Sequence, residues 1–238
     1  MKHIISIAVA GLLLVGLLLA SAAPVYAASL TPVRASEGLA DAELPPDLFD
    51  EDCDGGPSCP GRIFVDLPAA GHWAHVPIDW ALTHHVTAGT SPNTFSPGAG
   101  CTRAQAVTFL WRASGAPAPA TADCPFEDVP ETAYYYRAVL WAVERQITSG
   151  TSDTTFSPTQ VCTRAQIITF LWRAKGSPAA SAGEFPFQDV AESAYYRNAV
   201  AWAIEKGITG GTAPTAFSPH KTCTRAQIVT FLYKTIHG

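Results

Sequence analysis

The sequence predicts a mainly α-helical protein built from three copies of one helix-loop-helix unit that share a core. Three observations carry this. The string CTRAQ occurs at residues 101–105, 162–166 and 223–227, at equal intervals of 61 residues. Around it runs a longer ordered set in every copy: Phe-x-Asp at Phe64, Phe126 and Phe187; Trp-Ala at Trp80, Trp141 and Trp202; Gly-Thr at 89, 150 and 211; Phe-Ser-Pro at 95, 156 and 217; and Thr-Phe-Leu at 108, 169 and 230. Apolar residues recur at helical spacing twice per copy. Repetition on this period, in units too small to bury their own apolar faces, argues for one shared core.

The chain begins with a different kind of segment. Residues 1–27 carry Lys2, an apolar run from Ile4 to Ala20 and small residues at Ala22, Ala23 and Ala27, the layout of a secretory signal peptide cleaved after Ala27 or at one of the earlier alanines. The other reading is a membrane anchor, since about 17 apolar residues lie near the lower limit for a bilayer span. No later stretch is long and apolar enough to span, so the mature chain is expected to be exported and soluble. Residues 28–61 have a net charge of −7 and read as an acidic, flexible leader. Residues 62–238 have a net charge of +1 and no basic run, which gives no support for nucleic-acid binding. The copies are bounded at 62–120, 121–182 and 183–238.

Within a copy the first helix follows the Phe-x-Asp step. In copy two, Tyr135, Val139, Ala142 and Val143 share a face, and the helix closes at Ile147-Thr148-Ser149-Gly150. In copy three, Gly207 after Glu205-Lys206 is placed to end the helix in the left-handed conformation, with Ile208 packing back. A loop rich in turn residues runs to Phe-Ser-Pro. The second helix then starts at Thr102, Thr163 or Thr224. Thr followed three residues later by Gln105, Gln166 or Gln227 is a capping box, in which the hydroxyl accepts from the Gln N–H and the Gln side chain reaches back. Ala104, Val107, Leu110 and Trp111, with their counterparts, form the apolar face.

Arg103, Arg164 and Arg225 are the letters that capping does not explain. A cation at the first helical position opposes the helix dipole. Two explanations stay open on the residues alone. One is an ion pair with the repeated Asp66, Asp128 and Asp189. The other is an external anion, because guanidinium beside free N–H groups at a helix start can hold a carboxylate or phosphate.

The ordered set of Phe-x-Asp, Trp-Ala, Gly-Thr, Phe-Ser-Pro and Thr-Arg-Ala-Gln, repeated three times over residues 62–238, resembles the S-layer homology (SLH) module. The resemblance implies three SLH repeats in a pseudo-threefold helical bundle. It also implies a secreted, cell-wall or S-layer-associated protein that binds anionic secondary cell-wall polysaccharide non-covalently, often one capped by a pyruvate ketal. The site residues it implies are Arg103, Arg164 and Arg225, with Gln105, Gln166 and Gln227 beside them, and other envelope proteins are further partners. Gln stands where the family usually has Glu, and Cys where it has an aliphatic residue. The alternative is a structural or protein-interaction module at the cell surface without glycan binding.

Other signals point less far. Asp50, Asp52 and Asp54 with Gly55 resemble the start of a calcium loop, but Gly61 stands where such a loop needs a bidentate Glu. The chain has no CxxC, so zinc ligation by its six cysteines is not expected, and no metal or cofactor is. Cys53 and Cys59 could close a small loop, while Cys101, Cys162 and Cys223 are equivalent positions whose state the sequence leaves open. His72, His75, His84 and His85 cluster in copy one alone. Trp80, Trp141 and Trp202 read as core, and Tyr134–Tyr136 and Tyr195–Tyr196 as a partly exposed aromatic face. No nucleophile motif or recurring acid pair suggests an enzyme.

Overall fold

A computed structural model describes residue 56, residues 59–181 and residues 185–238. The expected signal peptide, most of the acidic leader, the Asp50–Asp54 stretch and Cys53 lie outside the described residues. Among the described residues six α-helices follow one 3-10 turn at Pro60–Ile63: α1 (His75–Thr83), α2 (Arg103–Ala113), α3 (Tyr136–Glu144), α4 (Arg164–Ala174), α5 (Arg197–Glu205) and α6 (Arg225–His237). Among the described residues there are isolated bridges but no named strand. Each copy contributes two helices, as the periodicity predicts, and no described helix is long and apolar enough to cross a membrane.

The even-numbered helices start where the sequence says they should. Thr102, Thr163 and Thr224 are extended N-caps, and each makes the full capping box with Gln105, Gln166 or Gln227. The odd-numbered helices have no side-chain cap. They end through a left-handed residue, which is Gly207 in copy three (φ 64°) but His85 and Gln146 in copies one and two, at φ 55° and 56°. Ile208 N–H then bonds the Ala203 carbonyl, and Ile147 N–H the Ala142 carbonyl, turning the chain back under the helix.

The helices do not pair within a copy. The second helix of each copy packs on the first helix of the next, α2 on α3 and α4 on α5, and α6 returns to α1; α2, α4 and α6 also touch one another. The loops close in the same order. Cys162 N–H bonds the Cys101 carbonyl, Cys223 N–H the Cys162 carbonyl, and Cys101 N–H the Cys223 carbonyl, all at 2.9 Å. This ring of backbone bonds needs all three copies, so no copy can complete its own core. The apolar interior includes Trp80, Trp141 and Trp202, all buried as expected, and the Phe-Ser-Pro phenylalanines Phe95, Phe156 and Phe217, which are fully covered.

Cys101, Cys162 and Cys223 are buried, unbridged thiols in this structure. Burial pushes Cys162 and Cys223 up to about 12, and Cys101 well above the ordinary thiol value. Two outcomes follow. In the native protein these three thiols resist alkylation at pH 8 while the part-exposed Cys124 reacts, and all become reactive in denaturant, as mass spectrometry of labelled peptides can check. Because their folded pKa values are raised, they favour the fold below the ordinary thiol value of 9.0, and this contribution drains away as pH rises from there towards about 12. The urea midpoint is therefore expected to fall across that range, and to fall less in a Cys→Ala variant.

Candidate functional site

The repeated Arg and the repeated Asp grip the same turn. Asp128 accepts two backbone N–H bonds within its own copy, from Phe156 at 2.8 Å and Ser157 at 2.7 Å. Asp66 does the same for Phe95 and Ser96, and Asp189 for Phe217 and Ser218. The turn needs this support because Ser96, Ser157 and Ser218 hold the left-handed conformation at φ 58–59°, which costs a residue with a side chain about 1 kcal/mol or more. Gly150 nearby is also left-handed, and a Cβ there would come within 2.5 Å of the Phe126 ring.

The Arg comes to this turn from the preceding copy. Arg103 Nε–H donates to the Phe156 carbonyl at 2.8 Å and Nη2–H to Thr148 Oγ1 at 3.3 Å. Arg164 bonds Phe217 and Thr209 in the same way, and Arg225 closes the ring on Phe95 and Thr87. Each guanidinium also lies over two phenylalanine rings, Phe156 and Phe170 for Arg103, at 4.8 and 5.5 Å from their centroids. The three residues are only 2–3% exposed. Burial pushes their pKa values below the ordinary Arg value, while Cys162 and Asp128 pull Arg103 back up. The Asp carboxylates therefore act at a distance; no Arg–Asp ion pair forms among the described residues, because both carboxylate oxygens are taken by the turn.

The helix starts are also less open than the sequence suggested. Arg103 N–H bonds the Gln160 carbonyl at 2.8 Å, Ala104 N–H the Pro158 carbonyl at 3.0 Å, and the Gln105 N–H the Thr102 hydroxyl. The same three donors are used at Arg164 and Arg225. No orphan N–H remains there for an anion. The side chains offer little more. Nη1 of each Arg makes no hydrogen bond among the described residues, but the three side chains are almost wholly covered and Arg225 is fully buried, so the guanidinium groups present almost no surface to a ligand. The side-chain oxygens of Gln105, Gln166 and Gln227 are consumed by capping, at 2.9–3.1 Å from the Thr N–H.

Two features near these Arg residues were only partly legible. Counting back seven residues from Trp80, Trp141 and Trp202 gives Trp73, Tyr134 and Tyr195, which are 55%, 61% and 62% exposed. Tyr134 lies close enough to Arg225, and Tyr195 to Arg103, for each to influence the other's ionisation. Alignment on the core Trp would have singled out these three. The second feature is a cleft of about 640 Å³ lined by Arg145, Gln146, Thr148, Ser149, Arg173 and Ser177 among others, reaching the Thr148 that Arg103 holds. Its counterpart in copy three, lined by Lys206 and Lys234, is about 200 Å³. Cations at these positions come from two different helices, so periodicity within one helix does not reveal them.

Replacing Arg164 with Lys keeps the charge but loses the fork that reaches Phe217 and Thr209 together. The expected cost is about 1.5–3 kcal/mol in urea unfolding, with Arg164→Ala costing more. A change below about 0.5 kcal/mol for Arg164→Lys would show that the fork does not join the copies.

Comparison with known proteins agrees with this architecture. The family model described as S-layer homology domain matches residues 65–107, 125–168 and 186–229. An endoglucanase of Bacillus sp. (strain KSM-635) is 38% identical over 44% of this chain, a match that spans 11% of the endoglucanase. An S-layer protein of Bacillus thuringiensis subsp. finitimus is 27% identical over 74% of this chain and 21% of its own length. A cell surface protein of Thermoanaerobacter kivui is 30% identical over 48% of this chain and 16% of its own. The chain thus spans about a tenth to a fifth of the length of these relatives. With the family's model matched at three successive positions, on the same three copies that the Arg seams join, the chain belongs to the S-layer homology domain family.

Proposed function

We propose that this chain is a secreted cell-envelope module that binds an anionic secondary cell-wall polysaccharide non-covalently, with the sugar lying in clefts that abut the seams. Membership in the S-layer homology family, and relatives named as S-layer and cell surface proteins, support a cell-surface anchoring module. The glycan reading rests on one observation above the others: a cleft of about 640 Å³ in copy two brings Arg145, from the end of α3, and Arg173, from α4, to one lining beside the Thr148 that Arg103 holds. Two guanidinium groups on one cleft lining suit a carboxylate better than a single mobile surface Lys does.

The surroundings support the same chemistry. Arg145 and Arg173 add positive charge to the copy-two cleft, and Ser149 and Ser177 bring hydroxyls that can bond sugar oxygens. Tyr134, Tyr195 and Trp73 supply exposed aromatic faces, one per copy, which the core does not need. The amide NH2 groups of Gln105, Gln166 and Gln227 are further donors, since only their oxygens are used in capping. In this reading Arg103, Arg164 and Arg225 hold the turns behind the clefts, and the contacts with the ligand fall to the side chains that line them.

That division of roles decides how binding should be tested. Removing the seam Arg residues is expected to destabilise the ring, so the variants belong on the cleft. Tyr134→Ala with Tyr195→Ala, and separately Arg145→Glu with Arg173→Glu, are expected to bind purified cell-wall polymer at least about tenfold more weakly, roughly 1.4 kcal/mol, while keeping their helical circular dichroism. Wild-type binding should weaken with added salt and after chemical removal of the polymer's acidic groups. Unchanged binding by the folded charge-reversal variant would sink the anion assignment.

A further inference from the structure

Copy one carries a buried polar trio that copies two and three lack. Cys59 Sγ lies 2.9 Å from Asp79 Oδ2 and 3.4 Å from His75 Nε2, and His75 Nε2 is 3.4 Å from Asp79 Oδ2. All three residues are buried, at 6%, 2% and 6% exposure. His75 and Asp79 stand one turn apart on α1, and Cys59 comes from the end of the leader, just before the 3-10 turn. Alignment on the core Trp gives the same helix positions to Tyr136 and Leu140 in copy two, and to Arg197 and Ala201 in copy three. The fold therefore accepts an apolar residue where copy one buries a carboxylate, and burying a carboxylate is costly without a compensating charge.

We propose that Cys59, His75 and Asp79 are the protein ligands of a zinc ion. The donor set is one thiolate, one imidazole and one carboxylate, which suits a borderline-soft divalent ion. Zinc bonds of about 2.0–2.3 Å at tetrahedral angles put ligand atoms about 3.3–3.6 Å apart. The two 3.4 Å separations already lie in that range, and the 2.9 Å Cys–Asp contact needs to open by about half an ångström. The orienting bonds are in place as well. His75 Nδ1 sits 2.6 Å from the Pro68 carbonyl, which can only accept, so Nδ1 carries a proton and, in the neutral ring, Nε2 offers its lone pair. Asp79 Oδ1 accepts the Gly61 N–H at 2.7 Å, leaving Oδ2 directed at the cluster. Gly61 permits this approach, since a Cβ there would fall 2.2 Å from Asp79 Oδ1.

On binding, the Cys59 thiol gives up its proton to solvent, and the dication meets one thiolate and one carboxylate, so the buried cluster becomes neutral. The ion would tie the end of the leader to α1. The spacing that betrays the site in the sequence is His and Asp at i, i+4 on one helix face, a pattern hidden because the third ligand lies 16 residues upstream of His75.

The test uses the full chain, purified and stripped with a chelator, with cobalt(II) as the probe and zinc as competitor. The expected result is one cobalt per chain with a thiolate-to-metal absorption band, displaced by zinc, and a melting temperature raised by zinc. His75→Tyr and Asp79→Leu copy the residues of the second repeat, so they should fold, yet bind at least about tenfold more weakly. Cys59→Ser should abolish the band. The proposal is overturned if the wild type takes up no stoichiometric metal, if the band survives Cys59→Ser, or if peptide mapping of the non-reduced protein finds Cys59 in a disulfide.

Discussion

The Phe-Ser-Pro turn, gripped from two sides, is the constraint on which the molecule depends. An Asp of the same copy takes the N–H groups of Phe and Ser, and an Arg of the preceding copy takes the Phe carbonyl. The first grip holds a strained left-handed Ser in place, and the second makes that strained turn a docking point for a neighbour. Because the Arg sits at the first position of a capped helix, docking the turn also fixes the helix, whose first N–H groups bond carbonyls of the docked loop. Repeated three times with the last bond returning to the first copy, the grip closes a ring in which every seam requires the other two.

This explains why a residue unfavourable to the helix dipole is retained in all three copies. The cost of a cation at a helix start, about 0.3–1 kcal/mol, is small beside two hydrogen bonds from a charged donor and two ring contacts. It also explains the silence of the helix start as an anion site, since its donors are spent on the neighbouring copy. The seam guanidinium groups are covered, and the cations that line a cleft are others, such as Arg145 and Arg173.

Copies that share a seam are free to differ elsewhere. Copy one keeps the Asp66 grip and the Thr87 acceptor but has Asp79 at a helix position that is apolar in the other copies, and His75 where they have Tyr136 and Arg197. The Cys ring shows the opposite behaviour. Its backbone bonds are identical at every step, and its thiols are buried at positions where an aliphatic side chain would serve, so the backbone ring makes no demand for sulfur.

By itself the sequence determined the units, their two helices each, the helix starts and the capping boxes, because all of these follow from bonds between residues a few positions apart. Thr102 and Gln105 are three residues apart, and the capping geometry is set by that spacing alone. The common period of Arg and Asp left two readings open, an ion pair between them and an external anion for the Arg; the structure shows no such ion pair among the described residues and joins the two only through the turn that both hold. Only the tertiary structure decided how they are linked. Arg103 meets Phe156 across 53 residues, and Arg225 meets Phe95 across 130, and no local pattern says which copy's turn an Arg will find. The same limit hid the cationic clefts and the Cys59, His75 and Asp79 cluster, since each gathers side chains from segments whose meeting depends on how the ring closes.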